Sequence, residues 1–99
     1  MYQSGIKTFR ELGELETNAL KDGALAQKHK ELIALGVSIS NACYGWIEYH
    51  VSSAVDLGVS RVEIIETAAV ALALSGSIAD WPARFVFKVL DELENQEKK

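Results

Sequence analysis

Glu31, Cys43 and His50 lie within one short stretch of this chain and supply the residue types of an orienting carboxylate, a thiol nucleophile and a base that works near neutral pH. Spacing tests whether they can cooperate. If Cys43 opens a helix, Trp46 follows one turn later and His50 one turn after that, so the three share a face. Cys43 and His50 are then roughly 10 Å apart along the axis. That is too far for a direct hydrogen bond, and Trp46 fills the space between them. A proton passing between thiol and imidazole would have to travel through Glu31, a water or a neighbouring subunit. Glu31 reaches the same helix only if its own helix packs antiparallel to it, and the short joint near Cys43 favours such a hairpin. A carboxylate facing His50 would fix the orientation of the ring, as general-base catalysis requires.

Each of these residues also has a plainer reading. A lone cysteine among apolar helical residues is commonly inert packing, a histidine such as His50 can be a satisfied core residue, and Glu31 beside Lys28 and Lys30 can be a solvated helix charge. Trp46, Tyr44 and Tyr49 could line a pocket for an apolar substrate, or serve as core or interface. His29, between two lysines, reads as solvent-facing. One cysteine and two histidines do not fit structural zinc spacing, and only Glu31, Cys43 and His50 together offer even a formal three-ligand set. Gly5, Gly13, Gly23, Gly36, Gly45, Gly58 and Gly76 never form a phosphate-cradling loop. No metal and no cofactor is expected.

The elements that would position these residues read as helices, because β-branched residues are scattered and no Asn-Gly or Asp-Gly hairpin pair occurs. Residues 4–20 space Ile6, Phe9, Leu12, Leu15 and Leu20 as a surface helix with one buried stripe. Asp22 is a candidate N-cap for a second helix through Ala42, with Leu25, Leu32, Ile33, Gly36, Val37 and Ile39 on its apolar face and Lys28 to Glu31 as its polar opening. A third helix is expected over Tyr44 to Asp56, stopped at Leu57 and Gly58. Ser60 and Glu63 form a capping-box pair that opens a fourth, whose apolar run Ala68 to Leu74 belongs at the centre or at a subunit contact. After Gly76, a last helix carries Trp81, Phe85, Val89 and Leu93, with Pro82 in its first turn and Glu94 to Lys99 fraying into solvent. With no linker or repeat, residues 1–99 read as one all-α domain of about five helices around a central helical hairpin.

Composition narrows the partners. Ninety-nine residues at 48% hydrophobic and 24% charged suit a single core, and apolar content this high on so short a chain implies surface hidden against another copy. A net charge of -4 without a basic stripe argues against nucleic acid and anionic membranes. A single cysteine and no signal-peptide pattern point to the cytoplasm.

The run Lys28-His29-Lys30-Glu31-Leu32-Ile33-Ala34-Leu35-Gly36-Val37-Ser38, followed by Asn41-Ala42-Cys43, resembles the carboxymuconolactone decarboxylase and alkylhydroperoxidase AhpD-like family. Glu63-Ile64-Ile65-Glu66-Thr67-Ala68 is similar to that family's following helix, so the likeness covers about residues 20 to 76. The resemblance implies an all-helical domain whose hairpin carries the active site, in protomers that assemble into trimers or hexamers. It also implies a glutamate, a Cys-x-x-Cys pair and a histidine that relay protons to a cycling dithiol. Glu31, Cys43 and His50 fall on the glutamate, the first cysteine and the histidine, while Trp46 occupies the second cysteine's position. On this basis Cys43, His50 and Glu31 form a one-cysteine thiol site, with Trp46 and Tyr49 walling its pocket and an external thiol as reductant. Two alternatives stand beside this thiol-dependent peroxidase. One is a decarboxylase or lyase using His50, for which only Arg10, Arg61 and Arg84 could hold a charged acid. The other is a binding or scaffold protein with a degraded site.

Overall fold

The computed structural model describes residues 6–97, and the expected all-α architecture is what it contains. The order is α1 (Lys7–Leu20), α2 (Gln27–Ser40), α3 (Tyr44–Asp56), α4 (Arg61–Ser75), a 3-10 turn (Gly76–Ala79) and α5 (Asp80–Glu97). The α2–α3 hairpin forms the centre, with α4 against α2 and α5 against α3 and α4. Its joint is tight: Ala42 takes a left-handed φ of 54°, and the Cys43 N–H donates to the Ser38 carbonyl at 2.9 Å, reversing the chain directly into α3.

The core is made where the stripes of four helices meet. Leu35 and Ile39 of α2 pack with Ile47, Val51 and Ala54 of α3, Ile64, Ala68 and Ala71 of α4, and Ala83, Val86, Val89 and Leu90 of α5. Helix α3 has the expected bounds, and Gly58, with φ of 86°, turns the chain beyond it. The capping box at α4 is complete. The Ser60 hydroxyl accepts from the Glu63 N–H, and the Glu63 carboxylate accepts from the Ser60 N–H at 2.9 Å. Hydrogen bonding to the carboxylate from the Ser60 N–H first, and from the Ser60 side chain second, holds the Glu63 carboxyl below its usual range. Arg61 donates to Glu94 at 2.7 Å and to Asp91 at 3.1 Å, fastening the start of α4 to α5. The bond to Glu94 contributes most to raising its pKa.

Several expected details differ. Asp22 does not cap α2; Ala26 holds the N-cap position, although Asp22 Oδ1 accepts from the Gln27 N–H at 2.7 Å. Leu25, Ile33 and Val37 are exposed, because the buried face of α2 is turned toward Leu35 and Ile39 instead. Trp81 is also exposed; the core side of α5 runs through Ala83, Val86, Val89 and Leu90, leaving Phe85 and Leu93 half-buried at its edge. Within Ala68–Leu74 only Ala68 and Ala71 are buried, since a helix packed on one side covers one stripe even of a wholly apolar run. By length and composition alone, Arg61 to Gln96 could cross a membrane. In the fold Gly76, with φ of 78°, and the following 3-10 turn divide it into α4 and α5. Helix α5 continues through Glu97, so fraying does not begin at Glu94; the expectations for Lys98, Lys99, Gly5 and residue 4 lie outside the described residues. The largest departure is α1. None of its residues is buried, and Ile6, Phe9, Leu12 and Leu15 stand exposed, because its backbone approaches only α2 and the apolar stripe extends beyond that support.

Candidate functional site

Two of the three candidate residues meet inside the hairpin. Glu31 precedes Leu35 and Ile39 at four-residue steps, so the helix repeat carries its side chain inward on the same stripe. His50 lies between Ile47 and Val51 on the inward stripe of α3. Both are buried, with 3% and 5% of their surfaces exposed, and His50 Nδ1 is 2.7 Å from Glu31 Oε1. Burying either group alone would be costly, and each satisfies the other. An ionised carboxylate only accepts, so with Glu31 in that form the Nδ1–H is the donor, and a neutral ring then carries its lone pair on Nε2.

Nε2 has no hydrogen-bond partner among the described residues, yet no buried side-chain nitrogen or oxygen there is left unsatisfied. It is therefore not fully enclosed, and it is the ring nitrogen left available to the cleft that His50 lines. That cleft holds about 210 Å³ and is bounded by Glu16, Ala19 and Leu20 of α1 and by Trp46 and His50 of α3. Among the described residues no lysine or arginine lines it. The imidazole edge thus presents a base, or once protonated an acid, to a small and largely apolar space.

Trp46 lies flat on His50, with ring centroids 5.3 Å apart and planes 16° from parallel. Tyr49 meets both rings edge-on, at 5.5 Å from Trp46 and 5.2 Å from His50. It is exposed and is not among the described residues that line the cleft. Cys43 is free, half-buried and at the N-cap position of α3. It does not line the cleft either, so the fold unites Glu31, His50 and Trp46 and leaves the thiol outside that space. No cluster of three or more His, Cys, Asp or Glu suited to a metal occurs among the described residues. Sequence reasoning does not find Glu16, Ala19 and Leu20 as walls. No spacing within α1 says which side of the hairpin it crosses.

The family model for the carboxymuconolactone decarboxylase family matches residues 7–89. Among solved structures, the chain is similar to a carboxymuconolactone decarboxylase family protein of Thermotoga maritima for which involvement in an antioxidative response has been suggested. The TM-score is 0.89 at 32% identity, over 94% of this chain and 96% of that one. A second structure of the Thermotoga maritima protein gives TM-score 0.89 and 32% identity over 94% of this chain and 82% of that one. The apo form of a carboxymuconolactone decarboxylase family protein of Legionella pneumophila aligns with TM-score 0.82 at 31% identity, over 87% of this chain and 77% of that one. No curated protein matches at the same stringency.

Proposed function

The chain belongs to the carboxymuconolactone decarboxylase family, and within it we propose an enzyme whose working group is His50, acting as acid and base on a small substrate held between α1 and α3. The observation that carries this reading is the buried Glu31–His50 pair, with Nδ1 engaged at 2.7 Å and Nε2 open on the cleft. Glu31 holds the ring in one tautomer and stabilises the imidazolium that forms when Nε2 takes a proton. The proton is then returned to the substrate at a second atom, as a lyase or isomerase requires. The described lining, with Glu16 as its charged member beside apolar residues and His50, favours substrates without several negative charges. The test is turnover on a panel of unsaturated lactones and carbon acids, followed by absorbance. His50→Gln should lower the rate by at least about 100-fold, the usual contribution of a general base, while Cys43→Ser leaves it unchanged. If turnover survives His50→Gln, His50 is not the working group; if no member of the panel is turned over, the protein is a binding or scaffold member of the family.

A second reading, the one-cysteine thiol-dependent peroxidase, is favoured by the half-buried free thiol at the start of α3 and by the antioxidative role suggested for the Thermotoga maritima protein. In it the Cys43 thiolate attacks a hydroperoxide, the O–O bond breaks, and the products are a sulfenic acid and an alcohol. An external thiol then forms a mixed disulfide with loss of water, and a second thiol releases Cys43. Loss of peroxide consumption in Cys43→Ser, with His50→Gln still active, selects this reading. In either case we propose a cytoplasmic homo-oligomer, a trimer or hexamer. The exposed apolar residues of α1 and the apolar groove of Ile33, Val37, Val70 and Leu74 between α2 and α4 support self-association. Light scattering on the purified protein checks it.

A further inference from the structure

We propose that Trp46 is a positioning residue for His50: its indole, lying flat on the imidazole, aims Nε2 into the cleft and keeps it there. The inference rests on the reading of His50 as the working group. A single hydrogen bond at Nδ1 fixes one corner of the ring but leaves it free to rock about that bond. Histidine χ2 is a broad two-fold torsion, so the ring's own preference does little to resist such motion. The contact at 5.3 Å and 16° supplies what the hydrogen bond lacks, a surface that resists movement out of the plane. Tyr49, edge-on to both rings, braces the pair from the solvent side.

Position also gives the stack a chemical consequence. Trp46 and His50 are one turn apart on α3, so the side chain at 46 is the nearest neighbour along the helix toward Cys43. An indole there can neither donate a thiol proton nor accept one, and it covers a face of the imidazole while leaving the Nε2 edge clear. Protons handled by Glu31 and His50 are therefore exchanged with the cleft and not with sulfur. Trp46 does two things at once: it holds the base and sets where the base acts.

The test needs no substrate. Side-chain nitrogen and carbon NMR of His50, in neutral to mildly alkaline solution, reads the tautomer and the order parameter of the ring, with exposed His29 as the internal reference. Wild type should show one tautomer, protonated at Nδ1, and a ring as rigid as the helix backbone. In Trp46→Leu the order parameter should fall from about 0.85 to below about 0.6, with mixing of the tautomers. Trp46→Phe, which retains a flat face, should restore most of the order. If Trp46→Leu loses its helical circular dichroism, Trp46→Met, closer in bulk and without a ring, replaces it. A ring that stays rigid and in one tautomer in the leucine or methionine variant overturns the proposal and leaves Trp46 as a wall. Glu31→Leu separates this failure from that of the underlying reading. That variant should shift the proton to Nε2, and an unchanged tautomer there would remove the Glu31–His50 pair itself, whatever Trp46 does.

Discussion

The α2–α3 hairpin and α1 are both amphipathic, yet they end in opposite states. In the hairpin even the charged Glu31 and the polar His50 are buried, whereas in α1 Phe9 and Leu12 are 44% exposed and Leu15 64%. The difference lies in what faces each stripe. Helices α2 and α3 cover one another and are covered by α4 and α5, so a polar side chain on the inner stripe must find its partner inside. Helix α1 meets a single neighbour and leaves most of its apolar face without one. Hydrophobic spacing defines a face; burial requires a second surface.

The largest effect should come from breaking the polar pair inside the hairpin. Replacing Glu31 by Ala leaves His50 Nδ1 buried without its partner, whichever ring nitrogen then carries the proton. An unpaired buried polar group costs about 1 to 3 kcal/mol, and the space left by the longer side chain adds to it, which urea denaturation would register as a clear fall in midpoint. If the fall is below about 1 kcal/mol, the pair is wetter than its burial implies. Next comes the apolar contrast. Leu35→Ala should cost about 2 to 5 kcal/mol at any protein concentration. Leu12→Ser should cost less than about 0.5 kcal/mol in dilute protein, with a larger loss only where concentration keeps copies together. A Leu12→Ser penalty as large as that of Leu35→Ala in dilute protein would erase the distinction between the two regions.

Trp46→Cys probes the hairpin with little expected effect on stability, because the loop it would close is short. Mild oxidation should remove two hydrogens from the intact mass by forming an intramolecular disulfide with Cys43. A variant that folds but keeps two free thiols would show that the start of α3 does not hold the family's dithiol geometry. The smallest effect belongs to the cap of α4. Hydrogen bonds from Ser60 lower the Glu63 pKa in the folded state, so the associated stability is present above the unfolded carboxyl range and is lost as pH falls through the folded value. Glu63→Gln should flatten that part of the acid limb in a stability profile and leave the neutral region nearly unchanged.

Much of the fold is legible in the sequence, and the reasons are local. The bounds Tyr44–Asp56 follow from a short joint at one end and Gly58 at the other, and the Ser60–Glu63 box is a four-residue device that needs no tertiary support. The inward place of Glu31 is also encoded, in its four-residue steps to Leu35 and Ile39, although the neighbouring lysines make it look like part of a solvated run. The exposure of α1 is illegible for the converse reason: its stripe is regular, and regularity says nothing about the other side of the contact. On α5, Trp81 outweighs Ala83 in hydrophobic area, yet the smaller residue is buried and Trp81 exposed, because the side of α5 that faces the core is set by where α3 and α4 pack against it.

By itself, the sequence determined the helical class, the hairpin joint, the cap of α4 and which residues share a face, because each follows from dihedral preferences and a 3.6-residue repeat acting over a few turns. Only the tertiary structure decided that Glu31 and His50 would meet at 2.7 Å, that Trp46 would lie flat on the imidazole, and that α1 would wall the cleft while Cys43 stayed outside it. Those outcomes depend on the angle and depth at which separate helices pack, which are set by the summed shapes of side chains far apart in the chain.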